Sequence, residues 1–134
     1  MNLLTSCVAI PLVVLGITIS NMSTPVSGKK LEITIANDLG NFLNLTVHCV
    51  SPAKEYDLGF QVVPYGGRYQ WFAHDSSYLC DLAWHKKYGR FLIYESRRDN
   101  RRCKGWCFWR IAQEGLYLHL AKPADRDELE FTWD

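Results

Sequence analysis

From residue 31 onward, apolar and polar residues alternate with a period of two through most of the chain. LEITIAN (31–37) puts Leu31, Ile33 and Ile35 on one face, and LNLTVHC (43–49) puts Leu43, Leu45, Val47 and Cys49 on one face with Asn44, Thr46 and His48 on the other. LGFQV (58–62) repeats the pattern with Leu58, Phe60 and Val62, and YQWFAH, YLCDLAWH, FLIYES, CFWRIA and LYLHL continue it as far as Leu120. Such runs, rich in aromatic and β-branched residues, predict half-buried strands. The breaks between them carry turn chemistry: Asn37-Asp38-Leu39-Gly40, Ser51-Pro52, Pro64-Tyr65-Gly66-Gly67, His74-Asp75-Ser76-Ser77 and Glu114-Gly115. No segment shows a sustained helical period with caps. The tail ELEFTWD alternates as well and is a candidate last strand. About eight short strands at regular spacing predict an all-β fold, a small antiparallel β-sandwich. Trp71, Trp84, Phe60 and Phe91 are expected in its core. Trp109 and Ile111 are expected to share the inward face of Cys107.

The first residues break this pattern. No Asp, Glu, Lys or Arg precedes Lys29, and Val8 to Ile19 is apolar almost throughout. That length matches the apolar core of a secretory signal peptide, with Thr18 and Ser20 as small residues before the cut. A membrane anchor fits less well, because the run is short and interrupted by Pro11. Residues 1–20 are therefore read as a signal peptide, with cleavage as late as residue 28 the alternative, and 21–134 as one secreted domain with its core at 31–120.

Composition sharpens this reading. The chain has 134 residues, 48% hydrophobic and 22% charged, which suits one globular domain. A net charge of +1 argues against a dedicated nucleic-acid binder. Five Cys are awkward for a disulfide framework, but Cys7 lies in the leader. Its removal leaves Cys49, Cys80, Cys103 and Cys107, an even set that reads as two disulfides in an oxidising compartment. Sequence alone leaves three pairings open. Placing Cys103 in a loop after a return strand favours Cys80–Cys103 with Cys49–Cys107.

The motifs, taken in order, resemble a known family. An Ile35-Ala36-Asn37 strand is followed by LTVHC ending in Cys49, then Asp57-Leu58-Gly59, Trp71-Phe72, and Cys80 with Trp84 four residues on. FLIY and a charged stretch lead to Cys103-x3-Cys107-x-Trp109 and a Gly115-Leu116 turn. This order resembles the plant self-incompatibility S1 family, the S-protein homologues, over about Leu31 to Leu120. The resemblance implies a small secreted β-sandwich with disulfides among Cys49, Cys80, Cys103 and Cys107, no enzymatic activity and no cofactor. It also implies a role as a signalling ligand for a plasma-membrane receptor, recognised through inter-strand loops. The family's founding members, from poppy stigma, act on a pollen membrane protein; that particular role belongs to specific members and does not transfer.

The near-neutral total hides segregated charge. Residues 85–110 hold nine Lys/Arg against two acids, a local +7, while 121–134 carry −3. Arg97, Arg98, Arg101, Arg102 and Lys104 are the candidate partner-binding residues, suited to an acidic receptor surface or an anionic cell-wall polysaccharide. The competing reading is a solvated loop. Asn44-Leu45-Thr46 is an N-glycosylation sequon with Asn44 on the outward parity; a second, Asn21-Met22-Ser23, sits at the new N-terminus. His48, His74, His85 and His119 all fall on outward parity and lack metal-ligand spacing, so they read as unrelated surface groups rather than an acid–base pair. Trp106, beside Gly105 and outside the Cys107/Trp109 parity, is the aromatic best placed to stack on a sugar, and the alternative to a signalling ligand is a secreted cell-wall glycan-binding or defence-related module.

Overall fold

Two antiparallel-rich sheets pack face to face and bury the alternating residues between them. The computed structural model describes residues 30–53 and 55–133. The strands are β1 Leu31–Asn37, β2 Leu45–Ser51, β3 Tyr56–Val63, β4 Arg68–Ala73, β5 Ser77–Trp84 and β6 Lys87–Glu95. A helix, α1 Ser96–Cys103, precedes β7 Trp106–Ile111, β8 Leu116–Leu120 and β9 Arg126–Phe131. One sheet has the order β9-β8-β7-β1-β4 and the other β3-β2-β5-β6. Among the described residues one strand pair is parallel, β1 with β7. After β1 the chain crosses to the other sheet for β2 and β3, returns to pair β4 with one edge of β1, crosses again for β5 and β6, and comes back over α1, so that β7 lies along the other edge of β1 in the same direction. The signal-peptide reading, Cys7 and the Asn21 sequon lie outside the described residues.

The period-two pattern explains the core. Ile33 and Ile35 of β1, Cys107, Trp109 and Ile111 of β7, and Leu116 and Leu118 of β8 are buried on one inner face. Leu45, Val47 and Cys49 of β2, Tyr78, Cys80, Leu82 and Trp84 of β5, and Ile93 of β6 meet them from the other. Asn37 ends β1 as a buried clasp. Its Nδ2 donates to Leu43 O (2.8 Å) and Val63 O (2.9 Å), and its Oδ1 accepts from Leu39 N–H (2.9 Å). This satisfies three backbone groups where strands of both sheets end. The tail does form the last strand, and beyond it Trp133 packs edge-on to Trp84 while its Nε1 donates to Ala112 O.

Three expectations are corrected. Phe60 is not core: it is 71% exposed, and Val62 is exposed too, while Val63 is buried. The alternation in 58–62 is broken by a bulge. His48 pairs with Phe60 but Val50 pairs with Asp57, so β3 carries one extra residue opposite Cys49. Gly59 supplies it at φ 83°, a left-handed conformation natural to glycine, and every side chain beyond it changes face. Trp71 and Phe91, by contrast, pack partly buried against the core and Trp84 is buried.

The second correction is the cystine pairing, which is Cys49–Cys80 and Cys103–Cys107. Cys49 and Cys80 are register partners on neighbouring strands β2 and β5. Cys103 and Cys107 are only four residues apart, with Cα atoms at 4.8 Å. The third correction explains the second: 96–103 is a helix, not a loop. Glu95 caps its start by accepting from Arg98 N–H at 2.9 Å. Lys104 ends it in the left-handed region, followed by Gly105 at φ 102°. That reversal folds Cys103 back over Cys107, so neither is left to reach β2 or β5.

Candidate interaction surface

Helix α1 divides its own charges. SRRDNRRC contains no apolar residue except Cys103, so hydrophobic periodicity gives no sign of a helix, yet the charged residues segregate by helical spacing. Asp99, Arg98 and Arg102 face the sandwich. Asp99 is 1% exposed, and its carboxylate accepts from Glu95 N–H (2.9 Å), Arg98 Nε (2.8 Å) and Nη2 (2.7 Å), and Arg102 Nη1 (3.4 Å). Arg98 also donates to Leu92 O (2.8 Å) and Ile93 O (3.2 Å) of β6. Arg102 extends to Glu130 and, at 3.8 Å, to Glu128 on β9. The helix is thereby fastened to both sheets.

Arg97, Arg101 and Lys104 stand at positions i, i+4 and i+7 and are exposed on the opposite face. Lys104 Nζ donates to Lys122 O at 2.7 Å, which steadies its stem without neutralising it. The five sequence-predicted cations therefore separate into two that hold the fold and three that form a basic stripe. Beside the stripe a cavity of about 540 Å³ is lined by Lys30, Leu31, Asn100, Lys104 and Gly105. Asn44 precedes β2 and is exposed, as a sequon acceptor requires.

The histidines do not converge. His48 lies on the outer face of the four-stranded sheet, 2.7 Å from Asp57 and stacked on Phe60 with centroids at 4.3 Å. His119 lies on the outer face of the other sheet, between Asp127 (2.9 Å) and Asp125 (3.2 Å). His74 and His85 occupy turns at opposite ends of β5. Among the described residues no group of three or more His, Cys, Asp or Glu is placed to hold a metal ion.

Several carboxylates are held below their ordinary range. The Gly59 N–H and then His48 lower Asp57; the Arg90 guanidinium lowers Asp81 against its partial burial. At Asp127 burial acts upward, but hydrogen bonds from His119 and Arg110 outweigh it. A lowered carboxylate stabilises the fold above its unfolded pKa, about 3.9, and that contribution disappears as pH falls through the lower folded value. The thermal midpoint is therefore expected to vary little with these groups from pH 7 to about pH 4 and to fall below that. A midpoint measured against pH that drops steeply between pH 6 and pH 4.5, in wild type but not in Asp81→Asn, would contradict this assignment.

The fold and this surface define a class: a small β-sandwich, cross-linked by two cystines, that presents a basic helix at one end. The chain belongs to the plant self-incompatibility protein S1 family, whose model matches residues 32–133. It is 35% identical to self-incompatibility protein S1 of Papaver rhoeas over 65% of this chain and 66% of that protein. It is 34% identical to S-protein homolog 6 of Arabidopsis thaliana over 81% of this chain and 80% of the relative. S-protein homolog 24 of the same plant is 30% identical over 88% of this chain and 79% of the relative. A solved structure aligns with a TM-score of 0.61 at 19% identity, covering 78% of this chain and 95% of its own. That protein is described as a self-incompatibility protein homologue from a widespread family of small, highly stable, secreted plant proteins. The likeness in structure covers the sandwich and supports the fold.

Proposed function

We propose that this protein is a secreted, non-enzymatic signalling ligand, recognised at the cell surface by a receptor that docks on the basic face of α1. The observation that carries this is the division of charge along the helix. Arg98 and Arg102 are committed to Asp99 and the sheets, whereas Arg97 and Arg101 have no ion pair among the described residues and Lys104, held by Lys122 O, keeps its charge beside them, all three exposed on a rigid, cystine-anchored element. A preorganised stripe loses little side-chain freedom on docking and speeds encounter with an oppositely charged surface. Family membership and the apolar, charge-free stretch before Lys29 support secretion, with residues 1–20 as the leader.

The test is saturable binding of the purified secreted protein to plasma-membrane preparations. Replacing Arg97 and Arg101 together with Ser is expected to weaken it at least tenfold, mainly by slowing association, with an unchanged melting temperature. Unchanged binding by that variant would reject the helix as the docking element.

A further inference from the structure

The outer face of the five-stranded sheet carries a second feature, which shares Lys104 with the helix stripe but not Arg97 or Arg101. Thr34 points outward from β1, yet it is fully buried. Trp106, Phe108 and Gln70 are its neighbours on this face. Thr34 pairs in register with Gln70 on β4 and Phe108 on β7, and Trp106 Nε1 donates to Thr34 Oγ1 at 2.8 Å. The indole is thus pinned across the sheet by its N–H while 48% of it stays exposed. Phe108 meets it edge-on at 5.3 Å. In the next register row Phe72 of β4, Glu32 of β1 and Trp106 of β7 lie side by side, and Phe72 is 47% exposed. The two exposed rings are two strand spacings apart, about 10 Å.

Polar groups that are uncommitted among the described residues stand around these rings. The Lys30 ammonium lies 5.7 Å from the Phe72 centroid and the Arg68 guanidinium 5.1 Å from that of Phe108, and neither has a carboxylate partner. Lys30, beside Phe72, shares one cavity with Asn100 and Lys104 at the C-terminal end of the helix. Arg110 on this face is already satisfied by Asp38 and Asp127.

We propose that this end of the sandwich is a binding site for an acidic polysaccharide, a chain of 1,4-linked uronic acid residues. Flat rings take the C–H faces of pyranoses, Glu32 and Gln70 bond their hydroxyls, and Lys30, Arg68 and Lys104 take the carboxylates. Charge complementarity selects a uronan over a neutral glucan, because Lys30 and Arg68 lie against the rings of Phe72 and Phe108 and Lys104 lines a cavity with Lys30, whereas the row itself contributes the acid Glu32. The pinned indole is what separates this site from diffuse attraction to a basic patch, since it adds a contact that salt does not screen.

The purified secreted protein is titrated with de-esterified polygalacturonate, with fully methyl-esterified pectin and with a neutral glucan, following tryptophan fluorescence and retention in affinity gels. Polygalacturonate is expected to bind, the other two at least tenfold more weakly. Trp106→Ala and Phe72→Ala are each expected to lose tenfold or more, and Tyr88→Ala, exposed on the other sheet, to bind as wild type. Should Trp106→Ala fail to fold by circular dichroism, the Phe72→Ala result decides. The proposal is overturned if polygalacturonate is not retained, if both ring variants bind as wild type, or if dextran sulfate or phosphatidylserine vesicles bind as tightly as polygalacturonate. Receptor binding that survives in Trp106→Ala but fails in the Arg97/Arg101 variant separates this site from the docking helix.

Discussion

Asp99→Ala is expected to destabilise the protein by about 3 kcal/mol, a fall in melting temperature of about 10–15 °C for a domain of this size. Asp99 accepts from a backbone N–H and two guanidinium groups while almost fully buried. Removing it leaves two cations facing each other beneath the helix and orphans the Glu95 N–H. The Arg98 and Arg102 side chains are 29% and 25% exposed, so water repays part of the loss, which places the cost at the lower part of the range for breaking a buried ion pair. Asp99→Asn, which keeps an acceptor but not the charge, is expected to fall between alanine and wild type. Thermal and urea unfolding with both cystines intact measure this. A midpoint for Asp99→Ala within 2–3 °C of wild type would mean that Cys103–Cys107 alone holds the helix.

The second large effect concerns the Cys49–Cys80 cystine. Replacing both residues with Ala is expected to cost about 3–4 kcal/mol, against about 2 kcal/mol for the Cys103/Cys107 pair, because the closed loops differ in length. The two sequence separations are 31 and 4. The Cys49/Cys80 change also removes two fully buried side chains from the middle of β2 and β5, which adds to its cost. Urea midpoints of the two double variants rank them, and the opposite order would contradict the entropic account. The pairing itself is read by non-reducing peptide mapping. Cleavage after Lys104 must leave the Cys103 and Cys107 peptides tethered to one another; recovery of a Cys80–Cys103 peptide would exclude this arrangement.

Particular residues show how far the sequence could be read. The strands were legible because a sandwich demands a period of two, and LEITIAN and LTVHC carry it without interruption. Phe60 and Val62 depart from the alternation because a single glycine shifts its phase. The cue was Asp57-Leu58-Gly59, where Asp57 accepts the Gly59 N–H at 2.7 Å and holds the bulge. Helix α1 was invisible to hydrophobic periodicity because a helix fastened by buried salt bridges needs no apolar stripe. Its faint signals were the Glu95 cap and the Gly105 that follows Lys104. The candidate cations stand out in the sequence as a group, but nothing local says that Arg98 and Arg102 turn inward. That depends on Leu92 O, Ile93 O and Glu130 being within reach.

The sequence by itself determined the class of fold, most of the core faces, the family and the segment in which free charge accumulates. These follow from local periodicity, composition and motif order, which are written along the chain. Tertiary structure alone decided which cysteines meet, which arginines are spent on the fold, and that Trp106 lies pinned over Thr34. Each is a matter of which groups from distant strands come within bonding distance, and that distance is set by register, bulge and the turn of one short helix.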